Sequence, residues 1–236
     1  MAEKLEIIGM KRLKAKKYVR LGFEGRWLDS FGDVEQGFVA IFWGNSGSGK
    51  SDAAIQLAKY VIKFGTVLYL SWEQKDRGTI QTAFKRHGLL EQHGKIHLSP
   101  GGSFESVVAY LRKQRSPDFV FMDSIDFSKW TYAQYEELRL LFPKKSIVIV
   151  AHGLGSLPKK ALAADIMFDA DIKCRVNKYV GFVETTRFEG PQKELIVWEE
   201  KAREFHPYLF TDASSKMNNT APKVGKVKKV AKNKKA

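Results

Sequence analysis

Cysteine is nearly missing from this chain: Cys174 is the single thiol in 236 residues. One thiol cannot close an internal disulfide, and it cannot build a cysteine-based zinc cluster. Long apolar runs are missing too. No stretch of about 18 apolar residues occurs, so no membrane-spanning helix is expected. The start of the sequence, MAEKLEIIGMKRLKAKK, has neither the apolar stretch nor the small-residue cleavage site of a secretory signal. Internal repeats are absent. These gaps leave one domain of ordinary size with a real core, and a reducing cytoplasm as its expected home.

Acidic residues are scarce relative to basic ones: 26 against 40, for a net charge of +14. The excess is uneven. Lys216–Ala236 holds eight lysines and no acid, which leaves about +6 for the rest. With few large apolar groups to offset ordering entropy, residues 211–236 read as a disordered Lys-rich tail. Such a tail serves either as a polyanion-binding arm, for nucleic acid above all, or as a solubilising terminus. A second basic stretch, Lys11–Arg20, falls in a basic N-terminal segment (1–21) and reads equally well as a solvated helix face.

The middle of the chain, 22–210, carries the pattern of a folded domain. Short apolar runs at 38–43, 66–72, 118–123 and 146–151 are rich in β-branched and aromatic residues and nearly continuous, as strands buried on both faces are. Helical patterns lie between and after them at 51–64, about 76–88, 103–115 and 132–142. Strand–helix alternation predicts an α/β fold with a mostly parallel central sheet and helices on both faces. After Asp165 the pattern changes. DADIKCRV, YVGFVETTRF and ELIVWEE, joined by the turns NK and EGPQ, predict an antiparallel C-terminal extension of three strands.

The chemistry begins at IFWGNSGSGKSDAA. Gly44, four residues (Asn45, Ser46, Gly47 and Ser48), then Gly49, Lys50 and Ser51 form the Walker A spacing of a P-loop. Glycines let the backbone curl so that successive N–H groups point inward at phosphate oxygens. The helix that follows adds its positive N-terminal end. Lys50 is placed to reach the β- and γ-phosphates, and the Ser51 hydroxyl to take a Mg²⁺ coordination position. ATP and Mg²⁺ are therefore the expected ligands. DFVFMDSID supplies a second metal-side carboxylate where an apolar strand ends at Asp123, with Asp126 a lower-ranked competitor past the strand end. In TVLYLSWEQ the strand after the phosphate-loop helix ends at Glu73, where a carboxylate can polarise water for in-line attack on the γ-phosphate. The other reading of Glu73 is a surface residue opening a loop. DFSKWTYAQY offers Lys129 and Trp130, with Tyr132, as a cation-plus-aromatic set for stacking bases; equally, those aromatics pack a helix start. His87, His93 and His97 lie in or near one loop without matching carboxylates, which does not support a metal site.

In order along the chain, the Walker A segment, YLSWE, FMDS, VAHG, DADI and TTRFEG resemble the RecA-like P-loop ATPases, with the RadA/Sms repair proteins and the DnaB-class replicative helicases as the nearest kin. WLDSFGDVEQGFVAIFWG is similar to the lead-in of those proteins, and the likeness spans about residues 22–200. The resemblance implies Glu73 as catalytic base, Asp123 as the Walker B carboxylate and His152 as a polar sensor of the γ-phosphate. A strand-end histidine by itself serves structure as readily as sensing. The resemblance further implies a trans-acting Lys-x-Arg. Arg187 matches the arginine, while Thr185 stands where the lysine would be; as a residue read alone, Arg187 could be a salt-bridged strand residue. A DNA-facing loop falls on GLGSLPKKALAAD, with Lys159 and Lys160. Implied partners are DNA, single-stranded above all, and further copies of the chain in a ring or filament, with no membrane. The expected function is ATP hydrolysis coupled to DNA in recombination, repair or replication. The alternative is an ATP-gated accessory or loader that binds DNA, a recombinase or a helicase with little turnover. A small-molecule phosphotransferase lacks its arginine-rich lid here.

Overall fold

The computed structural model describes residues 6–211. The Lys-rich stretch from 216 onward therefore lies outside the described residues. The four apolar runs become strands β1 (Val39–Gly44), β2 (Val67–Ser71), β4 (Phe119–Asp123) and β5 (Ser146–Leu154). Every residue of β1, β2 and β4 is buried, which is why their sequences do not alternate. A fifth strand, β3 (Ile96–Ser99), lies at the sheet edge, half exposed. Its partial exposure removed the apolar signal that marked the others.

Helices connect them: α3 (Lys50–Val61), α4 (Gly78–Arg86), α5 (Phe104–Leu111) and α6 (Tyr132–Leu141). Each is shorter than its sequence pattern. Helix α6 is fixed at its start by a capping box between Thr131 and Gln134. Before β1 come α1 (Met10–Ala15), with no buried residue, and α2 (Gly25–Phe31), which buries Trp27 and Phe31. Among the described residues, no helix is long and apolar enough to cross a membrane.

After β5 the chain makes a short hairpin with β6 (Leu157–Pro158), then α7 (Ala161–Asp169), then β7 (Ile172–Asn177), β8 (Val180–Thr186), β9 (Leu195–Ile196) and α8 (Glu199–Phe205). The sheet order is β3-β2-β4-β5-β1-β7-β8-β9, with β6 beside β5. Strand β7 pairs with β1 in parallel, so only β8 and β9 form the antiparallel extension. ELIVWEE yields a two-residue strand because Trp198 already stands at the N-cap of α8. The α/β class, the mostly parallel sheet and the helices on both faces are as the sequence predicts.

Period-two alternation sorts the sheet into two apolar layers. Ala40, Phe42, Tyr69, Phe121 and Val150 face α2, α3 and α4. Ile41, Leu70, Met122 and Ile149 face α5, α6 and α7. The same alternation puts the strand-end residues Gly44, Ser71, Asp123 and His152 in register with the α3 face: Gly44 is opposite His152, and Ser71 opposite Asp123. This places the expected chemistry at one edge and on one face.

Candidate active site

The loop between β1 and α3 is shaped by backbone that only glycine tolerates well. Gly47 and Gly49 adopt left-handed φ of 72° and 96°, and Gly49 caps the 12-residue α3. A Cβ on Gly44 would lie 2.0 Å from the Val176 carbonyl oxygen. A Cβ on Gly153 would lie 2.8 Å from the Gly44 Cα. A Cβ on Gly47 would meet nothing, so the bare side of the loop is open. The first four N–H groups of a helix have no intrahelical partner, so α3 aims its own at that opening.

Lys50 is 7% exposed, and its ammonium donates to the Asn45 carbonyl at 2.8 Å. Burial lowers its pKa, while Glu73, Asp123 and Asp126 push it back up. Asp123 is 2% exposed, and its Oδ2 accepts from the Tyr69 hydroxyl at 2.7 Å. Burial raises the Asp123 pKa; the hydroxyls of Tyr69 and Ser51 pull it down, Glu73 raises it and Lys50 lowers it. The Tyr69 phenol is itself held well above its ordinary value by burial and by Asp123, so it stays a donor.

Glu73 follows β2 and His152 sits late in β5, and the two meet: His152 Nε2 lies 3.1 Å from Glu73 Oε2. The Phe127 ring stands edge-on to the imidazole at 5.8 Å. Asp126 holds the same strand from below. Its Oδ2 accepts from the His152 backbone N–H at 2.6 Å and from the Ser124 hydroxyl at 2.9 Å. Asp126 thus anchors the end of β5, while Asp123 faces α3.

A cavity of about 220 Å³ joins these parts, running among Gly47, Lys50, Ser51, Glu73, His152 and Tyr179. At the same edge of the sheet, Asp123 Oδ1, Asp126 Oδ1, Ser48 Oγ and Ser71 Oγ are buried with no hydrogen-bond partner among the described residues, as is Ser30 Oγ in α2. An orphaned buried polar atom costs about 1–3 kcal/mol. Unpaired carboxylate and hydroxyl oxygens are the donor set a hard divalent cation takes. The residues present fit Mg²⁺ and a polyphosphate.

The other expected residues fall elsewhere. Arg187 follows β8 at the amino edge of the parallel strands, beside the start of β7; its Nη1 is 3.0 Å from Asp171 Oδ1. It cannot serve the site of its own chain. Lys159 and Lys160 are exposed at the start of α7, where a flexible loop was expected; the Lys160 ammonium donates to the Asp126 carbonyl and lies 5.7 Å from the Phe127 ring centre. Lys129 is exposed, but Trp130 is 6% exposed. The Trp130 ring packs edge-on against Trp72 and Phe104, at 5.6 and 5.4 Å. A ring so enclosed stacks on protein, and the base-stacking reading of Trp130 is corrected to a core role.

Two site residues escaped the sequence. Tyr69 is signalled only by its being two positions before Ser71 on the same strand face. Tyr179 sits in the β7–β8 turn and reaches the loop only through the sheet order.

No protein-family model matches the chain, and no curated protein matches it. Many solved structures do. One is a KaiC-like protein from the hyperthermophilic archaeon Pyrococcus horikoshii, with a TM-score of 0.54, covering 76% of this chain and 98% of that one. The chain has a RecA-like fold. At 16% identity the likeness speaks for the architecture and not for one family within it, and neither the repair proteins nor the replicative helicases are singled out.

Proposed function

We propose that the chain binds ATP with Mg²⁺ and hydrolyses it, and that it does so on DNA, in recombination, repair or replication. The observation that carries this reading is the convergence of Lys50, Glu73, Asp123 and His152 from four elements on one edge of the sheet, where Lys50, Glu73 and His152 line a cavity and buried oxygens, Asp123 Oδ1 among them, are unpaired.

The α3 N-terminus and Lys50 bind the phosphates; Ser51 and Asp123 would hold the metal. Bound Mg²⁺ would neutralise phosphate charge as it develops. Glu73 takes the proton from the attacking water onto its carboxylate. His152, hydrogen-bonded to Glu73, orients that carboxylate and registers the terminal phosphate. Asp123, already paired with Tyr69, stays fixed while the proton moves. Arg187 faces away from its own site, so it acts only on a neighbouring copy in a head-to-tail ring or filament. Exposed Lys159 and Lys129, with the basic excess of the chain, supply the polyanion contact.

A specific observation favours a second reading. Glu73 is held by His152, Arg187 is paired with Asp171, and Thr185 occupies the lysine position, as suits an ATP-gated accessory with little turnover. Steady-state ATPase measured with and without single-stranded DNA separates the two. Strong stimulation supports the motor, nucleotide and DNA binding without turnover supports the accessory, and indifference to DNA rejects both.

A further inference from the structure

We propose that Tyr179, braced by Trp198, is the shelf on which the base of the bound nucleotide stacks. This rests on the phosphate-loop reading above. Strand order sets the direction. Glu73 follows β2, Asp123 ends β4 and His152 sits late in β5, all on one flank of β1, whereas the β7–β8 turn lies on the other. With the terminal phosphate at Glu73, the nucleoside leaves the loop toward β7 and β8. Tyr179 lines the cavity on that flank.

The ring is held in place at some cost. Lys178 and Tyr179 form a two-residue turn between the paired Asn177 and Val180, with left-handed φ of 44° and 66°. Non-glycine residues in that region cost on the order of 1 kcal/mol each and persist where the surroundings fix them. Here the fixing is visible. The Tyr179 N–H donates to the Ser48 carbonyl of the phosphate loop at 2.8 Å. The Tyr179 carbonyl accepts from the N–H groups of Val197 and Trp198, at 2.9 and 3.4 Å. The loop in turn is cut away for the ring: a Cβ on Gly49 would lie 2.9 Å from Tyr179 Cδ1.

Packing of the loop alone explains the buried side of Tyr179. It leaves unexplained the large aromatic beside it. Trp198 is 41% exposed and stands 5.5 Å from Tyr179 at 75°, an edge-to-face pair of which Tyr179 lines the polar cavity. Such a pair presents apolar, flat area next to the place where phosphates are gripped. A shelf of this kind reads the face of a base and not its edge, so it accepts any planar base.

The test compares ATP with tripolyphosphate, which has the phosphates and no base, by titration calorimetry on the full chain with Mg²⁺. Tyr179→Ala is expected to weaken ATP about 5- to 150-fold, the range of base–aromatic stacking, and to leave tripolyphosphate within about twofold. Tyr179→Phe is expected to restore ATP. Trp198→Ala, whose backbone role is unaffected, is expected to weaken ATP alone by a smaller factor. Equal weakening of both ligands by Tyr179→Ala, or no weakening of ATP, overturns the shelf and makes Tyr179 a brace for the loop. Failure of the underlying reading looks different: Lys50→Ala would then leave both ligands bound.

Discussion

The two edges of the sheet are built from the same kinds of residue and treat them in opposite ways. At the amino edge lies a cavity of about 520 Å³, next to Arg139 and Asp169. There the charges satisfy one another. The Arg139 guanidinium and the Tyr135 hydroxyl, the latter at 2.9 Å, both meet Asp169 Oδ2, and Arg187 meets Asp171. Lys145 spends its ammonium on Ser116 and Pro117. At the carboxyl edge lie a cavity of about 560 Å³ beyond the ends of β2, β3 and β4 and the smaller one at the β1–α3 loop, about 220 Å³. At this edge carboxylate and hydroxyl oxygens are buried without partners among the described residues, and a lysine is folded onto its own loop. Cavity size does not single out the loop; the concentration of unpaired polar atoms does, because a group that costs stability in the free protein gains most from a partner that comes from outside.

That contrast can be broken most sharply at Lys50 and Glu73. Lys50→Ala is expected to abolish ATP binding, and Glu73→Gln to keep binding while lowering turnover about 10²- to 10⁴-fold, as loss of a general base does. Equilibrium binding and steady-state hydrolysis together check both; a Glu73→Gln enzyme at full speed would remove the catalytic assignment.

Asp123 sharpens it next. Its folded-state pKa is raised by burial, so between the ordinary carboxylate value and the raised one the folded chain binds more protons than the unfolded chain. Stability from this group is thus greatest at low pH and is lost as pH rises through the raised pKa. Asp123→Asn, neutral and isosteric, is expected to raise the ligand-free Tm by a few degrees near neutral pH. It should flatten the Tm profile above the ordinary carboxylate pKa and erase the further Tm gain on adding ATP with Mg²⁺. Scanning calorimetry reads all three, and a lower ligand-free Tm would contradict the strain.

At the amino edge the expectation is reversed. Asp169→Ala, which strands the Tyr135 hydroxyl and the Arg139 guanidinium, is expected to cost about 1–3 kcal/mol, or roughly 2–4 °C per kcal/mol, with kcat unchanged. Lost activity in a folded Asp169→Ala protein would show that this edge takes part in function. The smallest effect belongs to Lys159. Its replacement by Ala is expected to reduce the salt slope of single-stranded DNA binding by about 0.7, the share of one phosphate contact, in an anisotropy titration.

The carboxyl edge was legible because its signals are local. A glycine pattern, a strand ending in Asp123 and a strand ending at Glu73 need no knowledge of what packs where. Trp130 was misread because an aromatic beside a lysine looks the same in sequence whether it faces solvent or, as here, fills the gap between Trp72 and Phe104. Strand β3 went unseen because an edge strand with His97 exposed has no continuous apolar run. Helix α7 hid behind the glycines and proline of the hairpin before it, and it is fixed by Ala163, Ile166 and Met167 packing on the sheet. Tyr69 and Tyr179 act through neighbours far away in the chain, a relation that only the strand order supplies.

The bare contact between Gly44 and Gly153 has one more consequence. With no methyl group between them, the β1–α3 turn and the end of β5 touch main chain to main chain, like two gear teeth without play. A shift on either side is handed across undamped. A side chain at position 153 requires the Gly44 backbone to retreat, while one at position 44 requires the Val176 carbonyl to do so, so the turn is hemmed in by main chain from the strands on both sides of β1.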